Sequence, residues 1–438
     1  MKVLWITGMK VPFFKDNKID TNVAGSGGWI TSTIKAVSNL YDVLDDAADD
    51  DDADDDADDD VAEFTVISIS PDYKYESKKS GKITVIHVGE KVTNFFGINR
   101  LKIRIQETIN CFNPDIVDVQ GIEFNFAYII KDITLNCPVI YTLQGLPSEL
   151  GKVYNLGIPL STLVFGRTIS DNLRLKGLLE HQYIMNLRGK KSIEVLKSAK
   201  YVTGRTSWDC ANVYKYNPKL KYYHVDRLLR DEFYTSSQWN FENVKKHSIF
   251  TIQGDAPYKG IHILLEAIAI LKSKYPDIKL TIPGYAKDKE KISQRNGYTK
   301  YLMYIIQHMG IKDCVQFSGP LNATQMIDKL LNSHLFILPS ILENSPNSLA
   351  EAQILGVPCV ATFAGGTIDY IKNENYGLLY NCLDSAMCAK QIERLFSDEC
   401  LAKKISCNGK ELALLRHNKS VNIHELINTY RCIIADKK

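Results

Sequence analysis

No stretch of this 438-residue sequence stays apolar for the roughly 20 residues that a membrane-spanning helix needs. The opening MKVLWITGMKVPFF has only a short apolar run, broken by Gly8 and Lys10. It predicts a first β-strand and not a secretory signal. The ten cysteines contain no CxxC pair. That argues against a zinc site and against a disulfide framework, and suits reduced thiols in a cytosolic protein. The glycine string AGSGGWI (24–30) lacks a complete GxGxxG, so it is no dinucleotide fingerprint. Nor does an aromatic platform or recognition motif accompany the basic stretches, which speaks against nucleic acid as a partner.

What is present begins with hidden charge. The formal net charge is +2, yet residues 45–60 hold twelve aspartates in sixteen positions. Without them, 53 basic residues face 39 acidic ones, so the body carries +14. Such a body suits anionic partners. The Asp/Ala run repels itself and cannot bury apolar surface, so it predicts an extended, solvated loop. Its DxD strings follow from composition and do not mark a metal site.

Strand-like and helix-like patterns alternate, which predicts α/β architecture with parallel sheets. Strand runs fall at 3–7, 64–69, 83–88, 115–119, 138–143, 201–204 and 221–225. Helical patterns cover 28–40, with Ile30, Ile34, Val37 and Leu40 on one face, and 100–112 and 207–216. A second α/β series starts near 247. Its helix 259–275 aligns Ile261, Leu264, Leu265, Ile268 and Leu271. Gly310 and Gly356 stand where helices should stop. The expected domains are 1–240 and 246–418, joined through the polar stretch 231–247, with a last helix over 419–438. Two such domains would place ligands at the carboxyl ends of their strands, beside helix N-termini.

The most informative stretch is HLFILPS followed by ILENSPNSLAEAQILGVPCVATF. Ser345 suits an N-cap and Pro346 a first helical position. The amides of Asn347, Ser348 and Leu349 would then be donors at a positive dipole end, a site for a diphosphate. Glu343 precedes this helix and Glu351 lies inside it. They could accept hydroxyl hydrogen bonds at the two ends of one extended ligand. The plainer alternative leaves Glu351 on neighbouring backbone and Glu343 in solvent.

The string PSxxExxxNSLAEAxxxGxPxVAxxxGG resembles the E-x7-E signature of the family-four retaining glycosyltransferases. That resemblance implies the GT-B fold: two Rossmann-like domains with parallel sheets facing across a cleft, and a C-terminal helix crossing back. It implies that Glu343, the candidate catalytic residue, contacts the transferred sugar. It also implies that Glu351 binds the nucleotide ribose and that the intervening amides hold the distal phosphate. Gly365 and Gly366 match the family's glycine pair, and Thr367 can cap the next helix. Lys259, before Gly260 at a helix start, can reach the same diphosphate as a point charge.

Other positions match more loosely. Where the family has a first basic residue, this sequence has Gln253, Gly254 and Asp255. Arg205 or Arg230 could supply that charge, or either could form an inter-domain salt bridge. Gly25, Gly27 and Gly28 match the loop that closes over donor and acceptor in the family, with a flexible turn as the alternative. Leu321 matches the base-binding turn and is equally plausible as core. Gln120 and Gln144 stand at two histidine positions of the family's acceptor side. Glutamine can hydrogen-bond a sugar but cannot shuttle a proton near neutral pH.

Residues 166–204 hold eight Lys and Arg against three acids, with leucines and isoleucines between them. They form either a surface for anionic membrane or a solvated basic helix face. The reading is therefore a cytoplasmic retaining glycosyltransferase, at the inner face of the cell membrane if its acceptor is lipid-linked. It would move a sugar from a nucleotide-diphosphate-sugar to a glycan or lipid-linked hydroxyl, with no metal and no cofactor, in surface-polysaccharide assembly. The alternatives are another GT-B activity, such as a nucleotide-sugar epimerase, or a non-catalytic nucleotide-sugar-binding protein.

Overall fold

The computed structural model describes residues 1–15, 18–19, 28–47, 63–89, 95–174, 176–285 and 289–437. The chain opens with β1 (Lys2–Thr7), the short hairpin β2 (Phe14–Lys15) and β3 (Lys18–Ile19), and α1 (Gly28–Ala47). There follow β4 (Glu63–Ile69), β5 (Glu76–Ser80), β6 (Ile83–Val88), α2 (Phe95–Phe112), β7 (Ile116–Gln120), α3 (Asn125–Ile130) and β8 (Val139–Thr142). Four helices come next: α4 (Pro147–Val153), α5 (Leu160–Phe165), α6 (Ile169–Arg174) and α7 (Leu178–Ser198). Then β9 (Tyr201–Gly204), α8 (Ser207–Tyr216), β10 (Lys221–His224) and α9 (Asp231–Thr235) lead to β11 (Lys245–Thr251). The order continues α10 (Ile261–Lys272), β12 (Lys279–Pro283), α11 (Lys289–Ser293), α12 (Gly297–His308), β13 (Val315–Gly319), α13 (Ala323–Leu331) and β14 (Ser333–Leu338). It ends α14 (Asn347–Ile354), β15 (Cys359–Thr362), α15 (Thr367–Tyr370), β16 (Leu378–Tyr380), α16 (Ser385–Ser397), α17 (Glu399–Arg416) and α18 (Lys419–Ala435).

Two units result. The first holds residues 1–146, 190–230 and 417–438. Its eight-stranded sheet has the order β10-β9-β8-β7-β1-β4-β6-β5, parallel except where β5 pairs antiparallel with β6. Both faces are covered, so the alternation along β1 separates two cores. Leu4 and Ile6 pack with Leu101 and Ile105 of α2. Val3 and Trp5 pack with Ile30, Ile34 and Val37 of α1 and with Ile423, Tyr430 and Ile433 of α18. Strand β5, sequence ESKKS, is almost entirely exposed and carries no apolar alternation, so the hydrophobic pattern does not reveal it. Helix α1 continues through Asp45, Asp46 and Ala47, so the expected loop over 45–60 does not begin at 45. Extending a formed helix needs no new nucleus. Residues 48–60 lie outside the described residues.

The second unit holds residues 147–189 and 231–416. Its six-stranded sheet is β13-β12-β11-β14-β15-β16, with every pairing parallel. Helix α10 buries Ile261, Leu264, Leu265, Ile268 and Leu271, as its period predicts. Gly310 and Gly356 both have positive φ after their helices, at 65° and 77°.

The boundaries differ from the sequence expectation in two places. Residues 147–189 belong to the second unit rather than to a domain 1–240. The stretch 231–247 is no linker but part of the second unit. Phe233 and Trp239 are buried there, and the Trp239 indole donates to the Ser333 carbonyl at 2.9 Å. Among the described residues no helix is long and apolar enough to cross a membrane.

Candidate active site

In the second unit, β14 delivers the chain to the loop Pro339–Pro346 and then to α14. Pro346 has extended backbone and stands at the N-cap of α14, so the helix begins at Asn347 and not at Pro346. No side chain caps it; Ser345, expected as the cap, sits one position too early. The Leu349 amide donates to the Pro346 carbonyl at 3.1 Å, which removes it from the expected set of outward donors. The amides of Asn347 and Ser348 remain at the helix start. Beside them Ser345 is buried, and its hydroxyl has no partner among the described residues. A buried hydroxyl without a partner is costly. Here it accompanies two first-turn amides at the positive end of the helix dipole, a combination suited to an anion. Glu351 is buried on the second turn.

Lys259 and Glu343 meet in an ion pair, Nζ to Oε1 at 2.6 Å. The Ser340 hydroxyl donates to the same carboxylate oxygen at 2.8 Å. Two glycines make this meeting possible. Gly260 has φ 68°, and a β-carbon there would lie 1.9 Å from the Pro339 carbonyl oxygen. So the turn Pro257–Lys259 lies directly on the β14 loop, and the Ile341 amide donates to the Tyr258 carbonyl at 2.7 Å. Gly365 has φ 56°, and a β-carbon there would lie 2.0 Å from the Glu343 carbonyl oxygen. Gly366 donates its amide to that same carbonyl at 2.9 Å. Thr367 opens α15 as its first helical residue, and Gly366 holds the cap position. The Thr367 hydroxyl instead donates to the Thr362 carbonyl at 2.8 Å. Burial alone would lower the Lys259 pKa, but Glu343 and Tyr258 outweigh it and raise it, so the ammonium keeps its charge. Burial pushes His262 down to about 4, which keeps this imidazole neutral against the Tyr298 hydroxyl.

Leu321 is half-buried in the turn between β13 and α13 rather than part of the core. The neighbouring strand ends meet here: the Gly284 amide donates to the Gly319 carbonyl at 2.8 Å. Gly284 lies on the Gln253 side chain, and buried Tyr285 packs edge-on to Phe317 with 5.3 Å between centroids. The Tyr285 hydroxyl also lacks a partner among the described residues. Arg295, which the motif did not reveal, pairs with Asp255 at 3.3 Å. It lies 40 residues from Asp255 in the chain, so no local spacing could announce it.

The remaining predicted residues belong to the first unit. Arg230 packs over Gly28, whose added β-carbon would touch the arginine side chain at 2.8 Å. Arg205 is buried; its guanidinium donates to the Leu143 carbonyl and lies near the Trp29 ring. Arg227, unnoticed in the sequence, lies closer to that ring, at 4.1 Å. Gln120 is buried and donates to Asp118 at 2.8 Å, and Gln144 donates to the Gln120 carbonyl at 3.4 Å. Gln120 thus serves an internal network, whereas Gln144 is half-buried. Gly25 and Gly27 lie outside the described residues. Asp118 anchors that network. Thr142 donates to it at 2.7 Å and Tyr430 of α18 at 2.6 Å.

Residues 235–412 match the family model of the glycosyl transferases group 1. The capsular polysaccharide biosynthesis glycosyltransferase CapM of Staphylococcus aureus is 26% identical over 180 residues, 41% of this chain and 44% of CapM. A D-inositol 3-phosphate glycosyltransferase of Arthrobacter sp. (strain FB24) is 30% identical over 142 residues, 32% of each chain. The chain thus spans less than half the length of these curated relatives. Among solved structures, sucrose-phosphate synthase of Thermosynechococcus elongatus has a TM-score of 0.70 at 14% identity, covering 99% of both chains. Anabaena HepE, solved with UDP and glucose, has a TM-score of 0.63 at 16% identity over 98% of this chain and 99% of HepE. The likeness to these structures is one of fold, the GT-B class.

Proposed function

We propose that this chain, whose residues 235–412 belong to the group 1 glycosyl transferases, moves a sugar from a nucleotide-diphosphate-sugar to a hydroxyl with anomeric retention. The acceptor is a glycan or a lipid-linked saccharide met at the cytoplasmic face of a membrane. Surface-polysaccharide assembly, the setting of the relative CapM, is the proposed context. The observation that carries this reading is the Lys259–Glu343 pair at 2.6 Å beside the start of α14, where the Ser345 hydroxyl is buried without a partner among the described residues.

The chemistry follows from these groups. Breaking the bond from sugar to diphosphate places negative charge on the departing phosphate. The Asn347 and Ser348 amides and the α14 dipole receive that charge in fixed positions. Lys259 adds a full positive charge. Its ammonium has three donors, enough to serve Glu343 and a phosphate oxygen together. Glu343, held by Lys259 and Ser340, presents its carboxylate to hydroxyls of the transferred sugar. Glu351 accepts from the ribose. Leu321 and the Tyr285 turn border the base, and Arg295 supplies the second cation at the position where Asp255 replaces the expected one. In the first unit, Gln144 is the proposed acceptor-side residue. Because protein groups neutralise the diphosphate, transfer proceeds without a divalent metal.

A nucleotide-release assay across a panel of donors tests this reading. One donor is turned over by the wild type and chelator leaves the rate unchanged. Glu351→Ala weakens donor binding by roughly tenfold, the scale of one hydrogen bond to a charged group. Glu343→Ala lowers turnover more than binding. If both variants match the parent, the site is misassigned. If chelator abolishes turnover and added Mn²⁺ restores it, the metal-free mechanism fails.

A further inference from the structure

The second unit presents an apolar surface that its own packing leaves uncovered. Helix α5, sequence LSTLVF, has no buried residue. Leu160 is 74% exposed and Phe165 81%, and on α6 Ile169 and Leu173 are 80% and 82% exposed. On the first half of α7, Tyr183 and Leu187 stand four residues apart on an exposed face. Scattered single leucines need no explanation, but a run of this length does.

The surface is held rigidly. Arg167, in the link between α5 and α6, pairs with Glu180 of α7 at 2.5 Å. Thr168 and Asp171 exchange hydrogen bonds at the start of α6, at 2.9 and 3.1 Å. These contacts also settle the local charge. Residues 147–189 contain three acids: Asp171 and Glu180 are used as just described, and Glu149 pairs with Lys152 at 2.7 Å. Within this segment Lys176, just after α6, and Arg188, on α7, remain as exposed cations. The charge left over on this segment has one sign, which does not suit a second copy of the same surface, because like charges would meet.

We infer that the α5–α6 surface docks this protein on a membrane face rich in anionic lipid. Leu160, Phe165, Ile169 and Leu173 enter the boundary between headgroups and acyl chains, and Lys176 and Arg188 meet lipid phosphates. The inference is independent of the donor site, since binding is measured without turnover.

Vesicle flotation of the full chain tests it, with phosphatidylcholine alone and phosphatidylcholine doped with phosphatidylglycerol. The wild type floats with the doped vesicles, and less so at high salt. Phe165→Ser combined with Leu173→Ser reduces that binding by about tenfold or more, from the apolar burial lost. Lys176→Glu reduces it on the order of fivefold. All three positions are exposed, so the variants keep the parent's melting temperature. The inference is overturned if the wild type does not float with doped vesicles, or if the double variant floats equally well. It is also overturned if sedimentation shows a dimer that the double variant abolishes while vesicle binding persists.

Discussion

A carboxyl as deeply buried as Asp118 is costly to ionise, and burial raises its pKa from 3.8 to about 6 despite donors from Tyr430, Thr142 and Gln120. The native carboxyl therefore keeps its proton where the unfolded one loses it. The folded state binds more protons between those two values, so this group's contribution to stability falls as pH rises through that window and stays low above it. The shift corresponds to about 3 kcal/mol. Asp118→Asn removes this pH dependence and is expected to raise thermal stability at pH 7.5 relative to pH 4.5, compared with the parent. Tyr430→Phe does the opposite. It takes a donor from the ionised carboxylate, so melting temperatures fall further at pH 7.5 than at pH 4.5. Equal falls at both values would contradict the assignment. Nothing in DIVDV separates Asp118 from a strand residue facing solvent, because apart from Gln120 its partners come from β8 and from a helix 312 residues later. The placement of Glu343 before α14 and of Glu351 within it was legible because it is local. The ion pair with Lys259 was not, since it spans 84 residues.

At the level of elements, the site depends on loops pressed together where only glycine fits. Gly365→Ala would put a β-carbon 2.0 Å from the Glu343 carbonyl oxygen, at φ 56°. The expected cost is about 1–3 kcal/mol of stability, together with weaker donor binding as the Glu343 loop shifts. Gly81 is a control. It has φ 54° but nothing within 4 Å of an added β-carbon, so Gly81→Ala carries only the backbone strain. Thermal melts and donor titration of the two variants separate crowding from backbone strain. If Gly365→Ala is no worse than Gly81→Ala, the close packing does not shape the site. Strands with apolar alternation or a continuous apolar run, and helices with a 3.6 period, were legible in sequence. Strand β5 was not, being polar throughout, and the start of α14 was off by one residue. Ser345 and Pro346 satisfy the usual N-terminal preferences one position early, and the extended backbone of Pro346 decides the register.

Across the whole molecule, the two-unit division was legible from the repeated α/β pattern, but its boundaries were not. The chain passes between units at 146/147, 189/190, 230/231 and 416/417. A linear reading expects one crossing and a returning tail. Helices α4 to α6 join the second unit through contacts such as Tyr154 with Tyr258, 5.4 Å between ring centroids, which no periodicity encodes. The central claim is that the second unit holds a nucleoside diphosphate between Lys259 and the start of α14. Calorimetric titration of the full chain with nucleoside diphosphates and the matching nucleosides, for the wild type and Lys259→Met, tests it most directly. The account predicts that Lys259→Met weakens one diphosphate by roughly ten- to a hundredfold and leaves its nucleoside unchanged. Equal diphosphate affinity in the two proteins, or equal weakening of diphosphate and nucleoside, would contradict it.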